Sequence, residues 1–390
     1  APGLELSIST RRTSASRSSP HRLLPLQMVY RQTLRMSRSN RRERMSRTQV
    51  MNSHESQSRP AKCVVVLGPT ATGKTALGVH LARRFDGEII SADSRQVYRG
   101  LDIGSGKDLE EYSRGGPEVK YHCIDIVEPA EEYNLFRYKS DALRAIHGCI
   151  ARGKLPIIVG GTPLYINALL EDYDLEGGPP DPKLRKDVQD LSDEELLERL
   201  QEIAPDVYER TDKTQRKRII RALEIAATRD TDTTDNSQAQ PPPFRFLPDH
   251  LLIGPYFPRP VIHKRIEERL DSRINAGLLD EAANLHKHGI SWQRLEDLGL
   301  EYRYAARHLQ GQLSRPEFRE QLFTKIRRFC KAQEIWFRKM EREGKTIYWI
   351  PNGDPQKAEK VVSLFLADSP LPPPEIQVKD IRYGPSGRKC

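Results

Sequence analysis

Residues 63–85 read CVVVLGPTATGKTALGVHLARRF, and this stretch constrains the fold more than any other. An unbroken apolar run from Cys63 to Leu67 is the pattern of a strand buried on both faces, as in a parallel sheet. A turn follows, and then Leu77, Leu81 and Phe85 recur at helical spacing. The turn, Gly68-Pro69-Thr70-Ala71-Thr72-Gly73-Lys74-Thr75, fits G-x-x-x-x-G-K-[ST]. Strand, glycine-rich turn and helix in that order define a phosphate-gripping loop. Backbone N–H groups from Thr70 to Thr75 can wrap phosphate oxygens, helped by the helix N-terminus. Lys74 adds a point charge and Thr75 is placed to hold Mg²⁺. The loop does not say which phosphate compound binds, nor that a phosphoryl group moves.

Further apolar runs predict the rest of a sheet. They lie at Glu88–Ala92, Tyr121–Val127, Leu155–Val159, Leu251–Tyr256 and Thr346–Ile350, with helical stretches between. Alternating strands and helices predict an α/β fold with a parallel sheet covered on both faces. Residues 61–180 form the first part of this core and residues 250–352 the remainder. Between them, 181–227 is polar, wholly helical and reads as an insert, and 228–249 (Thr/Asp/Pro-rich) as a loop or disordered segment. Helices are expected at 260–288 and 316–343. In the second, Leu322, Ile326, Phe329, Trp336 and Met340 make one buried face, with Gln333 filling the one longer gap. Residues 353–390 read as a Pro-rich tail, disordered after 368.

Charge is distributed unevenly. The net +9 is carried entirely by residues 1–60, which hold Arg and Ser but almost no acid; residues 61–390 balance. That extension has the composition of an organellar transit peptide, of a disordered tail, or of translated sequence upstream of the internal methionines. A cytoplasmic protein of bacterial type is the expectation, or a mitochondrial or plastid one if 1–60 is a transit peptide. No run of 18 apolar residues exists, so no membrane span is predicted. The cysteines (63, 123, 149, 330 and 390) show no C-x-x-C pair, so neither a zinc site nor a disulfide framework is signalled.

Several residues qualify as site candidates. The second strand runs into Ser91-Ala-Asp93-Ser94-Arg95-Gln96-Val-Tyr98. Carboxyl ends of neighbouring parallel strands face one crevice, which places Asp93 near whatever the P-loop holds. Its position alone leaves metal ligand, general base and helix cap open. The fourth predicted strand ends in Gly160-Gly161-Thr162, where a phosphoryl-transfer enzyme often carries an acid for Mg²⁺. Glycines admit close backbone approach, and Thr162 adds a hydroxyl. Two basic stretches stand out, Lys213–Arg221 and the helix at 325–345, the latter interleaved with Phe329, Trp336 and Phe337. Together, in a body of zero net charge, they favour an anionic polymer as partner. His122, His263, His286 and His288 show no ligand spacing.

These pieces, in order, resemble one family. The matches are GPTATGKT (68–75), ISADSRQVYRGLDIGSGK (90–107), HCIDIVEP (122–129), LPIIVGGTPLY (155–165), RIIRALEI (218–225), RIEERLDSRINAGLLDEA (265–282), LGLEYRY (298–304) and, more weakly, IRRFCKAQEIWFR (326–338). They span roughly residues 62–350 and resemble the tRNA dimethylallyltransferases, or isopentenyltransferases. The resemblance implies a P-loop NTPase-like fold with a helical insertion. It implies transfer of a dimethylallyl group from dimethylallyl pyrophosphate to N6 of adenosine 37, in the tRNA anticodon stem-loop, with Mg²⁺; the plain expectation for oligomeric state is a monomer. The loop would then hold the diphosphate of a leaving group. By the same resemblance Asp93 is the base, Thr162 orients the amine, and Lys74 and Arg269 counter the developing charge. The stretch Asp93, Ser94, Arg95 and Gln96 contacts the target base, and Lys217, Arg218 and Arg221 form a second tRNA contact. Two departures, Ala332 and Ile335, fall in the C-terminal helix where the family carries Arg and Thr. Transfer to a free adenine nucleotide is the main competing expectation, and a small-molecule P-loop kinase a lesser one.

Overall fold

A computed structural model describes residues 61–171, 180–229 and 247–381. The extension 1–60, most of the expected 228–249 loop and Cys390 lie outside the described residues. Six strands form one parallel sheet in the order β3-β2-β4-β1-β5-β6. They are β1 (Lys62–Leu67), β2 (Gly87–Ser91), β3 (Tyr121–His122), β4 (Leu155–Gly160), β5 (Asp249–Tyr256) and β6 (Ile347–Pro351). The apolar run of β1 is used on both faces, as its pattern requires. Cys63, Val65 and Leu67 enter one core, and Val64 and Val66 the other. Helix α1 (Lys74–Arg84) packs on the second face, while α2 (Leu135–Ala151) and α3 (Pro163–Leu170) pack on the first. This is the expected fold, a P-loop-type parallel sheet flanked by helices.

The expected strand Tyr121–Val127 is shorter than its apolar content suggested. Cys123 and Asp125 take left-handed backbone angles (φ 60° and 55°), which turns the chain out of the sheet after His122. Val127 returns to make one parallel bridge with Tyr98.

Residues 181–227 are helical but not continuously so. They form α4 (Pro182–Asp187), α5 (Asp193–Ile203), α6 (Pro205–Arg210) and α7 (Arg216–Arg229). Ser192 and Glu195 make a capping box that starts α5. These helices share their own core, centred on Val188, Leu196, Leu200, Val207, Ile219 and Leu223. Within it Glu224 is buried. Its carboxylate accepts hydrogen bonds from Arg185 Nε at 2.7 Å, Arg221 Nη1 at 3.0 Å and the Asp181 backbone N–H at 3.1 Å. Glu224→Ala should therefore destabilise the insert by about 2 kcal/mol. The value is modest because both guanidinium groups can turn to water. Hydrogen exchange should show α4–α7 opening more easily while the sheet amides stay protected. Equal loss of protection in both would sink the idea that the insert is a separate cooperative unit.

A second helical cluster covers the segment after β2. It comprises α8 (Arg259–Asn275), α9 (Leu278–Lys287), α10 (Trp292–Asp297), α11 (Leu300–Leu309) and the long α12 (Arg315–Arg342). The buried face of α12 differs from the expected one. It runs through Phe318, Leu322, Ile326, Cys330, Gln333, Phe337 and Met340. Phe329 is 45% exposed and Trp336 only half-buried. Cys330 and Phe337 continue the three- and four-residue steps from Ile326, whereas the bulkier neighbouring aromatics had suggested a face rotated by one residue.

The C-terminal stretch also departs from expectation. Helix α13 (Pro355–Leu366) buries Ala358, Val362 and Phe365 beside α1. The Pro-rich segment beyond it docks through its backbone. Arg338 Nε donates to the Val378 carbonyl at 2.8 Å, and the Lys379 N–H donates to Glu341 Oε2 at 2.6 Å. Glu341 is buried and also accepts from Trp349 Nε1 at 2.7 Å. Prolines remove donors there, and the carbonyls and remaining N–H groups suffice for docking.

Candidate functional site

The register of the sheet assembles the site. Leu67 of β1 lies beside Gly160 of β4, and Ser91 of β2 beside Val159. The loops leaving all three strands therefore meet at one edge. The connections from the adjacent strands β1 and β4 also run in opposite directions, to β2 and to β5, which opens a crevice at the carboxyl ends. A cavity of about 520 Å³ occupies that position. Its walls include Thr70, Lys74 and Thr75 from the loop after β1, and Asp93, Ser94, Arg95 and Gln96 from the loop after β2. Gly160, Gly161 and Thr162 come from the end of β4, and Arg269 and Arg273 from α8.

The P-loop has the geometry of a phosphate cradle. Ala71 and Gly73 both have left-handed backbone angles (φ 62° and 79°), the kind of turn that can build an anion-binding concavity from successive N–H groups. Thr72 is buried and its hydroxyl donates to the Pro69 carbonyl at 2.9 Å, closing the loop on itself. Lys74 Nζ donates to the same carbonyl at 2.6 Å. Burial and then the Arg269 guanidinium push the Lys74 ammonium down to about 8, with Asp93 and Cys330 opposing. Not every expected phosphate donor is open. The Thr70 N–H donates to Gln333 Oε1 at 2.9 Å, which leaves Ala71 to Thr75 as the candidate donors.

In the loop after β2, the Arg95 N–H donates to Asp93 Oδ1 at 2.9 Å. Asp93 thus braces a turn and caps no helix; among the described residues its Oδ2 has no hydrogen-bond partner. The Ser94 N–H donates to Thr162 Oγ1 at 3.1 Å, which leaves the hydroxyl proton of Thr162 to be donated elsewhere. The loops carrying Asp93 and Thr162 are thereby tied together. Gln96 is buried, with Oε1 accepting from Ser91 Oγ at 2.7 Å and Nε2 donating to the Gly106 carbonyl at 3.2 Å. Both ends of its amide therefore hold the loop, a structural use alongside the expected base contact.

Arg269 and Arg273, one turn apart on α8, face the Gly104–Gly106 segment. Arg269 Nη2 pairs with Asp108 at 2.6 Å, and Arg273 Nη1 lies 3.5 Å from Glu301. Burial and the Arg269 charge hold the Arg273 guanidinium below its ordinary value. A Cβ at Gly106 would overlap both guanidinium groups, which explains the glycine in that segment. Arg273, Glu301, Arg303 and Gln333 line the cavity; none is a site candidate from sequence, where Gln333 is only the polar gap in a helical face. The signals existed: Arg273 follows Arg269 by four residues, and Glu301 and Arg303 lie within LGLEYRY.

The two basic stretches have different fates. From α12, Lys325, Arg328 and Phe329 line the cavity, and Arg327 and Lys331 line an adjoining groove with Arg259 and His263. Lys217, Arg218 and Arg221 lie on α7 and line neither. Lys217 is exposed, Arg218 pairs with Asp212 at 2.6 Å, and Arg221 holds Glu224. His122 is structural, its Nε2 lying 2.6 Å from buried Glu88, which also takes Arg152. Among the described residues, no helix is long and apolar enough to cross a membrane.

Residues 96–340 match the family described as IPP transferase, and residues 61–116 the family described as isopentenyl transferase. The chain is 45% identical over 303 residues to tRNA dimethylallyltransferase 1 of Geotalea uraniireducens, covering 77% of this chain and 97% of that one. It is 47% identical over 291 residues to tRNA dimethylallyltransferase 1 of Syntrophus aciditrophicus (75% and 94%). Among solved structures, the tRNA isopentenylpyrophosphate transferase of Bacillus halodurans matches with a TM-score of 0.56 at 31% identity, over 79% of this chain and 97% of that one. A eukaryotic dimethylallyltransferase acting on tRNA matches in fold, with a TM-score of 0.66 at 23% identity, over 80% and 81%.

Proposed function

The chain belongs to the IPP transferase family of tRNA dimethylallyltransferases, and we propose that its central cavity is where the dimethylallyl group passes from dimethylallyl pyrophosphate to N6 of adenosine 37. The products are N6-dimethylallyladenosine in tRNA and free diphosphate. One observation carries the assignment: the phosphate-gripping loop and Asp93, whose Oδ2 has no hydrogen-bond partner among the described residues, line the same cavity.

The donor's diphosphate lies in the loop from Ala71 to Thr75, against Lys74 and Arg269. Breaking the allylic C–O bond builds charge on that diphosphate, and preorganised N–H groups and cations counter it without reorganising. The adenine amine is a weak nucleophile, because its lone pair is delocalised into the ring. Thr162 orients it and Asp93 takes its proton as the C–N bond forms. The target base must leave its stack to enter, which suits a cavity rimmed by Arg95, Arg303, Lys325 and Arg328. The Thr75 hydroxyl, an oxygen donor at the start of α1, fits Mg²⁺, which typically binds through few protein ligands plus substrate phosphates. Bound there, the ion would neutralise diphosphate charge.

Incubating unmodified tRNA with the protein, Mg²⁺ and dimethylallyl pyrophosphate, followed by digestion and mass spectrometry, tests the reading. One C5H8 unit gained on an anticodon-loop adenosine is the expected result. A gain on free AMP instead would move the assignment to nucleotide prenylation. The insert carries a second test. Lys217→Ala combined with Arg218→Ala should weaken tRNA binding and lower its salt slope by about one to two. An unchanged slope would remove α7 from the RNA interface. The Arg218 share is the smaller one, since Asp212 already pairs with it.

A further inference from the structure

From Phe318 to Met340 the buried face of α12 is apolar at every position but one. Ile326 and Cys330 precede Gln333, and Phe337 and Met340 follow it. Gln333 is 4% exposed. A buried amide costs free energy unless both of its ends are bonded. Here both are. Oε1 accepts from the Thr70 N–H at 2.9 Å, and Nε2 donates to the Gly161 carbonyl.

The two partners belong to different halves of the chemistry. Thr70 opens the loop after β1, which holds the diphosphate. Gly161 follows β4 and precedes Thr162, whose hydroxyl is tied to the loop of Asp93. Neither group is engaged in the sheet, so the side chain replaces a missing rung between β1 and β4 just beyond their last paired residues, Leu67 and Gly160. The fit is close: a Cβ at Gly161 would lie 2.8 Å from Gln333 Nε2 and 3.4 Å from Lys74 Nζ.

We propose that Gln333 is a positioning residue, a clamp that sets the separation between the diphosphate-holding loop and the strand end that orients the acceptor amine. The inference rests on the transfer reaction above. When the allylic C–O bond breaks, electrons leave with the diphosphate, and C1 must be captured. If the amine is in place, a C–N bond forms and the N6 proton leaves. If it is displaced, water adds to the same carbon and loses a proton. Dimethylallyl alcohol and diphosphate then appear with no change to the RNA. Small displacements of one reactant have large effects on such a competition.

The measurement is a partition ratio: diphosphate released against dimethylallyladenosine formed, for the full chain and for Gln333→Met, which keeps the length and removes both hydrogen bonds. The expected result is a kcat for transfer about tenfold lower, a KM for tRNA that barely moves, and a several-fold larger share of diphosphate released without prenylation. Gln333→Glu keeps an acceptor for Thr70 but sets an oxygen against the Gly161 carbonyl, and should shift the share in the same direction. The ratio does not depend on how much of the variant is folded, so a loss of stability cannot mimic the effect. An unchanged ratio in both variants would overturn the clamp. If the unaltered chain makes no dimethylallyladenosine, it is the assigned reaction that fails.

Discussion

Asp93→Ala is expected to slow dimethylallyl transfer by about 10²–10⁴-fold, the range for loss of a positioned general base. Binding of tRNA should be nearly unaffected, because an anionic side chain gives no attraction to phosphates and the substitution leaves every cation that lines the cavity in place. The geometry allows a sharper version. Asp93 lines the cavity; one carboxylate oxygen braces the turn by accepting the Arg95 N–H, and the other has no hydrogen-bond partner among the described residues. Asp93→Asn retains an oxygen for the turn and loses the base. If Asp93 acts chemically, Asp93→Asn and Asp93→Ala should be similarly slow in single-turnover transfer. If it only shapes the loop, Asp93→Asn should be close to the unaltered chain and Asp93→Ala slow. A near-normal rate in both would place the base elsewhere, with Glu301 the next carboxylate on the cavity wall.

What could be read from the chain beforehand was local and repetitive. The P-loop, all six strand positions and the strand-end residues Asp93 and Thr162 each sit inside one short stretch, where residue type and spacing carry the information. Gln333 shows the limit. It was visible as a polar residue in an apolar helical face, but its partners, Thr70 and Gly161, lie 263 and 172 residues away. Nothing in one sequence announces that distance being closed. Arg221 shows the converse. It sits in a run of cations with no acid, which suggests an RNA contact, yet it holds Glu224 only three residues on. Counting charges in a stretch misses a carboxylate just beyond it. The C-terminal segment erred by composition: proline richness suggested a tail, while docking there depends on backbone groups and one buried glutamate.

The free-enzyme behaviour of Lys74 yields a second large effect, in pH. Burial, reinforced by Arg269, brings its ammonium down to about 8. The sign follows from what the diphosphate needs. The ligand-free enzyme loses the Lys74 proton as pH rises through about 8, and the anionic donor binds the charged form. Donor kcat/KM should therefore be level between about pH 6 and 8 and fall about tenfold per pH unit above 8. The donor's own phosphate ionisation, near 6, lies below this window. Once the diphosphate is bound its charge favours the ammonium, so kcat at saturating donor should stay level to higher pH than kcat/KM does. Lys74→Arg should abolish the alkaline limb, since a guanidinium stays protonated throughout, while Lys74→Ala should cost about 10²–10³-fold in transfer through lost leaving-group stabilisation. A kcat/KM profile that stays flat well above pH 8 in the unaltered chain would mean that Lys74 remains charged in the free enzyme. The neighbouring Asp93 carboxylate would then outweigh the combined push of burial and Arg269.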